Sequence, residues 1–112
     1  MIEEVDPIKA INYIRDNAPA YAQAKATRIY IENALKSVKA TLMADSDATS
    51  LGAKEIEAYS HPSYKVQLDG LREAVEIEER LRWLLLGAQM KVEVYKTQEY
   101  ARRQELRNLN VP

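Results

Sequence analysis

The side chains best suited to bind a ligand are four cations in residues 21–43, a segment whose acidic content is Glu32 alone. Spacings of eleven residues, about three helical turns, arrange them in two pairs along one edge of a helix. Such cations bind phosphates, and Tyr21 and Tyr30 offer aromatic faces to the bases of a single strand. We predict a nucleic-acid-binding edge; the alternative is an ordinary solvated helix face, since the chain has a net charge of −1. The four cations are Lys25, Arg28, Lys36 and Lys39.

Acidic side chains are the other candidates for chemistry, and several glutamates lie between residues 73 and 93. A carboxylate metal site in a helical bundle usually needs Glu-x-x-His pairs, but the chain has one histidine, His61, and no cysteine. Glu76 with Arg80, and Glu78 with Arg82, are spaced for ion pairs on a helix surface. We therefore predict no metal, no cofactor and no catalytic residue. A carboxylate-metal enzyme is a third interpretation, which requires metal to co-purify with the protein.

Composition favours an all-α protein that neither hydrolyses nucleotides nor crosses a membrane. The chain has 112 residues, of which 46% are hydrophobic and 29% charged, and it is rich in good helix formers. Its three glycines are isolated and form no phosphate-binding loop. The longest apolar run, residues 83–86, is far shorter than the ~20 residues of a membrane span. Residues 2–6 are acidic and unlike a signal peptide, so we expect a cytoplasmic protein.

Residues 62 to about 108 are predicted to form one long helix around which the rest of the chain is organised. No proline interrupts this stretch after Pro62, and apolar residues recur at alternating steps of three and four. At ~1.5 Å per residue the helix would reach roughly 70 Å, too long to be buried within one chain of this size. We predict that it packs against other helices, including those of further copies. The recurring apolar residues are Leu71, Ala74, Leu81, Leu85, Ala88, Val92, Tyr95 and Leu106.

The contact between copies is predicted in the middle of the long helix. Residues 83–86 (WLLL) are apolar on every side of a helix, which predicts that they are buried all round. Gly87 follows them. Because glycine costs up to ~1 kcal/mol in a helix relative to alanine, its presence here indicates a close contact with another helix. The residues predicted to hold the oligomer together are Leu81, Trp83, Leu85, Ala88, Val92 and Tyr95.

Three shorter segments precede the long helix. A first, docking helix is predicted within residues 1–18, because Asp6-Pro7 is a helix start and residues 17–19 (NAP) are a break. Residues 19–43 form a basic amphipathic helix, and residues 44–61 a linker with a short helix from about Thr49 to Tyr59. Ser60 or His61 caps the long helix. The predicted architecture is one all-α domain over residues 1–112, a helical hairpin or bundle.

A family resemblance is carried by residues 21–43 (YAQAKATRIYIE and LKSVKATLM), 57–64 (EAYSHPSY), 71–84 (LREAV and EERLRWL) and 92–99 (VEVYKTQE). These stretches resemble a group of small helical proteins of tailed phages and prophages, over most of the chain from residue 21 to about 103. More distantly, a Tyr- and Ala-rich basic helix, an acidic linker and an aromatic-Leu-Leu helix follow one another in an order similar to that of the UvsY recombination mediator of tailed phages.

The resemblance implies a non-enzymatic accessory protein of phage DNA recombination or replication. Members of that family form rings of helical subunits, bind single-stranded DNA and help to load a recombinase in place of the single-strand binding protein. The expected partners are thus further copies of the chain, single-stranded DNA, and a recombinase or single-strand binding protein. The cations Lys25, Arg28, Lys36 and Lys39 become the DNA-contact candidates, with Arg102 and Arg103 added. The alternative is a helical interaction or scaffold protein of a phage without nucleic-acid contact.

Overall fold

The protein consists of three α-helices in a computed structural model that describes residues 4–110. The helices are α1 (Pro7–Ala44), α2 (Leu51–Ser60) and α3 (Pro62–Leu109), and they include 90% of the described residues, which contain no strand. The all-α prediction and the long C-terminal helix are confirmed. Within the described residues, no helix is long and apolar enough to cross a membrane.

Helix α1 begins where the sequence predicts, but it is much longer than expected. The Asp6 carboxylate accepts hydrogen bonds from the backbone N–H groups of Ile8 (3.1 Å) and Lys9 (3.2 Å), with Pro7 in the first turn. The predicted break at residues 17–19 is wrong, because α1 continues through Pro19 for 38 residues. An interior proline costs about 3 kcal/mol but does not forbid a helix, and the alanines on both sides of Pro19 favour helix.

Side chains cap the starts of both α2 and α3. Ser50 is the N-cap of α2, and its hydroxyl accepts from the Ala53 N–H at 3.1 Å. The imidazole Nδ1 of His61 accepts from the Ser63 N–H at 3.0 Å, at the start of α3. The short helix predicted in the linker and the capping role predicted for His61 are therefore confirmed, to within two residues at the helix ends.

The chain divides into two compact units. The central unit, Tyr21–Arg80, contains the second half of α1, all of α2 and the first part of α3. Arg28 contacts Glu78 there, and Leu35 lines the same cavity as Leu71, so the two long helices run antiparallel. Its buried apolar residues are all alanines, which let helix backbones approach closely. They are Ala24, Ala58 and Ala74.

The terminal unit comprises residues 1–20 and 81–112. Ala10 of α1 and Leu85 and Ala88 of α3 are buried. The prediction that residues 83–86 are buried all round is wrong for the single chain, because Trp83 is 63% exposed and Leu84 is 50% exposed. One face of α3 is therefore covered in this unit, while its largest side chain points away from the core.

Candidate functional site

The predicted basic edge of α1 separates into two inward cations and two outward ones. Arg28 and Lys39 are partly buried and form ion pairs within the central unit. Lys25 and Lys36 are exposed, and neither forms an ion pair with any residue of the described range. Because they are eleven residues apart, they lie on the same side of α1 about 16 Å apart along its axis. Two of the four predicted cations are therefore open to an external phosphate.

Arg28 is held by two carboxylates, one on each long helix. Its Nε and Nη2 donate to the two carboxylate oxygens of Glu78 at 2.5 and 3.0 Å, and its Nη1 donates to both oxygens of Glu32 at 3.1 Å. The hydrogen bonds that Arg28 donates to Glu78, and then those to Glu32, raise the pKa of Arg28 above its ordinary value. Glu78, expected on the surface, is 7% exposed. This guanidinium is thus committed to joining α1 to α3.

Lys39 makes the corresponding contact between α1 and α2. Its Nζ donates to Glu55 at 2.8 Å and to the Tyr59 hydroxyl at 2.7 Å, and lies 4.5 Å from the centre of the Tyr59 ring. These contacts raise the pKa of Lys39, and the same ammonium group lowers the pKa of Glu55 below its ordinary 4.5. A ligand phosphate would have to compete with Glu55 for this cation.

A cavity of about 330 Å³ opens beside the outward Lys36. Tyr59 and Tyr64 both line it, with their rings edge to face at 5.2 Å between centres. Leu35 and Leu71 form its apolar side, whereas Glu32 and Lys39 bring charges that are already paired. The structure therefore places two aromatic rings near Lys36, a combination that the sequence did not predict, because the tyrosines follow it by more than twenty residues.

Of the two C-terminal candidates, Arg102 forms ion pairs with described residues and Arg103 does not. Arg102 forms an ion pair with Glu99 at 3.0 Å and lies 3.7 Å from the carboxylate of Glu4, within the terminal unit. Arg103 is exposed and forms no ion pair with the residues that the structure describes. Exposed pairs such as that of Arg102 contribute little stability, so this side chain stays available to a stronger anion.

Most of the residues predicted to join copies are at least partly buried within the single chain. Leu85 and Ala88 are buried, and Leu81, Val92 and Tyr95 are half-buried on the same face of α3. Trp83 is the one residue of the six predicted that is mostly exposed, at 63%. Beside it lies a cavity of about 610 Å³, with Tyr13 of α1 and Gly87 of α3 in its walls.

Metal binding is the other chemistry that the acidic residues could support. No three side chains of histidine, cysteine, aspartate or glutamate come together there as metal ligands. The predicted surface pair of Glu76 and Arg80 is confirmed, with 2.9 Å between the charged groups.

No family model, curated protein or solved structure matches this chain.

Proposed function

We propose that this protein is a non-enzymatic accessory protein of phage DNA recombination or replication, which binds single-stranded DNA as a homo-oligomer. The sequence resemblance to the UvsY family suggests this role. The observation that carries the DNA-binding part is the pair of outward lysines, Lys25 and Lys36, on one side of α1 without ion-pair partners in the described chain. The tyrosines of the neighbouring cavity, Tyr59 and Tyr64, add aromatic faces on which bases could stack.

Assembly is a necessary part of this proposal. Two free lysines give a weak phosphate site, and the chain as a whole carries a net charge of −1. In an oligomer the same pair recurs once in every copy, and a strand bound by one pair meets the next at a high effective concentration. Useful affinity then arises from repetition rather than from a strongly basic surface.

The test is binding of a fluorescent oligo-thymidine at two salt concentrations, with light scattering on the same sample. We expect the double variant Lys25→Ala/Lys36→Ala to lose at least about tenfold in affinity and to show a shallower salt dependence, because fewer counterions are released. The matched control is Lys65→Ala/Lys96→Ala, which removes the same charge from α3 and should bind nearly as well as the parent. Equal losses in the two variants would remove α1 from the DNA interface.

The second candidate function is a helical interaction or scaffold protein without nucleic-acid contact. Its support is the number of large apolar side chains that the single chain leaves in solvent. In the central unit alone Leu51, Ile56 and Val66 are each more than two-thirds exposed. An oligomer that ignores the oligonucleotide at both salt concentrations, together with a specific protein partner in a pulldown, would favour this function.

A further inference from the structure

We propose that the outward face of α3 between Trp83 and Ala101 is a helix-pairing seam, and that its occupant is the same seam of a second copy in antiparallel orientation. This rests on the proposal above that the protein works as an oligomer, and it identifies where the copies meet. The seam consists of Trp83, Gly87, Met90, Val94, Thr97 and Ala101.

The spacing of these residues is that of a coiled-coil contact. Their positions are separated by four, three, four, three and four residues, which keeps them on one stripe of a helix. At 100° per residue this stripe lies on the far side of α3 from the buried Leu85. Helix α3 therefore carries two mainly apolar stripes in the terminal unit. One is buried within its own chain, and the other is exposed, with Trp83 and Gly87 at the edge of the cavity shared with α1.

The outward stripe is exposed and includes large side chains. Trp83, Met90 and Val94 are 63%, 66% and 44% exposed, although the Arg82 guanidinium lies over the Trp83 ring at 4.8 Å. Leu84 and Tyr100 flank the stripe and are also at least half exposed. Aromatic side chains such as Trp83 and Tyr100 bury about 150–250 Å² each, so the five side chains together present several hundred Å². Stable interfaces take about 800 Å² from each partner, so the seam supplies a substantial part of a dimer contact.

Gly87 leaves a gap in the seam, at the edge of the cavity shared with Tyr13. A Cβ atom built on Gly87 would meet nothing within 4 Å, so packing inside the chain does not require a glycine. Glycine nevertheless disfavours the helix relative to alanine. Close approach of a helix from outside the chain is a use for this position.

The sizes along the seam are complementary to themselves when the second helix is reversed. In an antiparallel pair centred at residue 92, Trp83 lies opposite Ala101 of the second copy, the largest side chain against a small one. Gly87 then faces Thr97, and Met90 faces Val94. Knobs of one helix thus meet holes of the other, as coiled-coil packing requires. A second copy is therefore the occupant that fits the seam without any further protein.

The first experiment is the mass in solution of the double variant Met90→Asp/Val94→Asp. Both side chains are exposed in the single chain, so its helicity and melting curve should match those of the dissociated parent. The dimer dissociation constant should rise at least about 100-fold, because charges would be buried at the contact. The matched control is Val66→Asp/Ile77→Asp, at exposed apolar positions of α3 in the central unit. A parent that is monomeric, or a control that dissociates as readily, overturns the proposal.

Cysteine cross-linking tests the orientation, since the chain contains no cysteine of its own. Met90→Cys and Val94→Cys are made separately and oxidised alone and as a mixture. The antiparallel pair predicts that the mixture gives more cross-linked dimer than either variant alone. Stronger linking of Met90→Cys to itself would overturn the antiparallel arrangement.

Gly87→Leu supplies a variant that does not threaten the fold. Leucine is a better helix former than glycine and its Cβ atom would meet nothing within 4 Å, so thermal stability of the dissociated protein should not fall. Association should weaken at least about tenfold, because the gap opposite Thr97 is filled. Unchanged association would remove Gly87 from the contact.

The same variants separate this proposal from the proposed function. If Met90→Asp/Val94→Asp is monomeric and binds oligo-thymidine weakly, seam and multivalent DNA binding both hold. A parent dimer that ignores oligo-thymidine would leave the seam intact and remove the DNA-binding function.

Discussion

The central unit and the terminal unit differ in the kind of large side chain that each one buries. The central unit, Tyr21–Arg80, buries three alanines and Glu78, and it uses Arg28 and Lys39 to join its helices. The terminal unit buries Leu85 and two alanines and leaves Trp83 mostly in solvent. In the central unit, a charged side chain is therefore not always part of a binding surface. In the terminal unit, a large apolar side chain is not always part of the core.

The largest expected effect separates the two stripes of α3. Leu85→Asp puts a charge into the core of the terminal unit, where Leu85 is 9% exposed, and should cost about 4 kcal/mol of unfolding free energy. Urea denaturation followed by circular dichroism measures the loss, at a protein concentration too low for association. A loss no greater than that of Met90→Asp/Val94→Asp would mean that the inward and outward stripes are not distinct.

A smaller effect is expected where the central unit buries charge. Glu78→Ala removes a nearly buried carboxylate and should lower the unfolding free energy by about 2 kcal/mol, less than for a fully enclosed pair. The double variant Arg28→Met/Glu78→Leu replaces both charges with apolar groups and should recover much of that loss. A double variant as unstable as Glu78→Ala would show that the ion pair contributes more than the desolvation it requires.

The smallest effect concerns pH. The pKa of Glu55 is lowered by Lys39, so its contribution to stability is present above pH 4.5 and is lost as the pH falls through the lowered value. The pKa of Lys39 is raised, so its contribution is present below 10.5 and is lost only at still higher pH. Between these limits the pair should give no slope.

Glu55→Gln is the variant that isolates this contribution. It should lower the melting temperature slightly at neutral pH and reduce the further fall between pH 6 and pH 3. The control is Glu73→Gln, an exposed carboxylate of the same unit that forms no ion pair with a described residue. An acid-induced fall as steep in Glu55→Gln as in the parent would exclude this pair as a source of acid sensitivity.

Local sequence patterns predicted where the helices lie, but they did not predict which faces of the helices contact each other. Asp6-Pro7, Ser50 and His61 are signals within a few residues, and their caps are present. Pro19 misled the prediction, because the packing and propensity of a 38-residue helix outweigh the local cost of an interior proline. An isolated helix shows which residues share a face, but it does not show which of two apolar faces is covered.

The charged residues illustrate the same limit over longer distances. Arg28 and Lys25 look equivalent on a helical projection, yet Arg28 meets Glu78 fifty residues further along the chain. No pattern in residues 21–43 specifies that contact. Predicting which cations remain free required the antiparallel pairing of α1 and α3 in the central unit.

The link between Arg28 and Glu78 also bears on how the central unit finds its alignment while folding. Helix α1 carries alanines at positions 22, 24 and 26 of this unit and at 18 and 20 just before it, so a slip along the partner helix would still bring small residues to the contact. A slip of one turn, about 5.4 Å, would however separate the guanidinium from the carboxylate and leave a charge buried alone. This ion pair would therefore penalise misaligned hairpins that alanine packing by itself would tolerate.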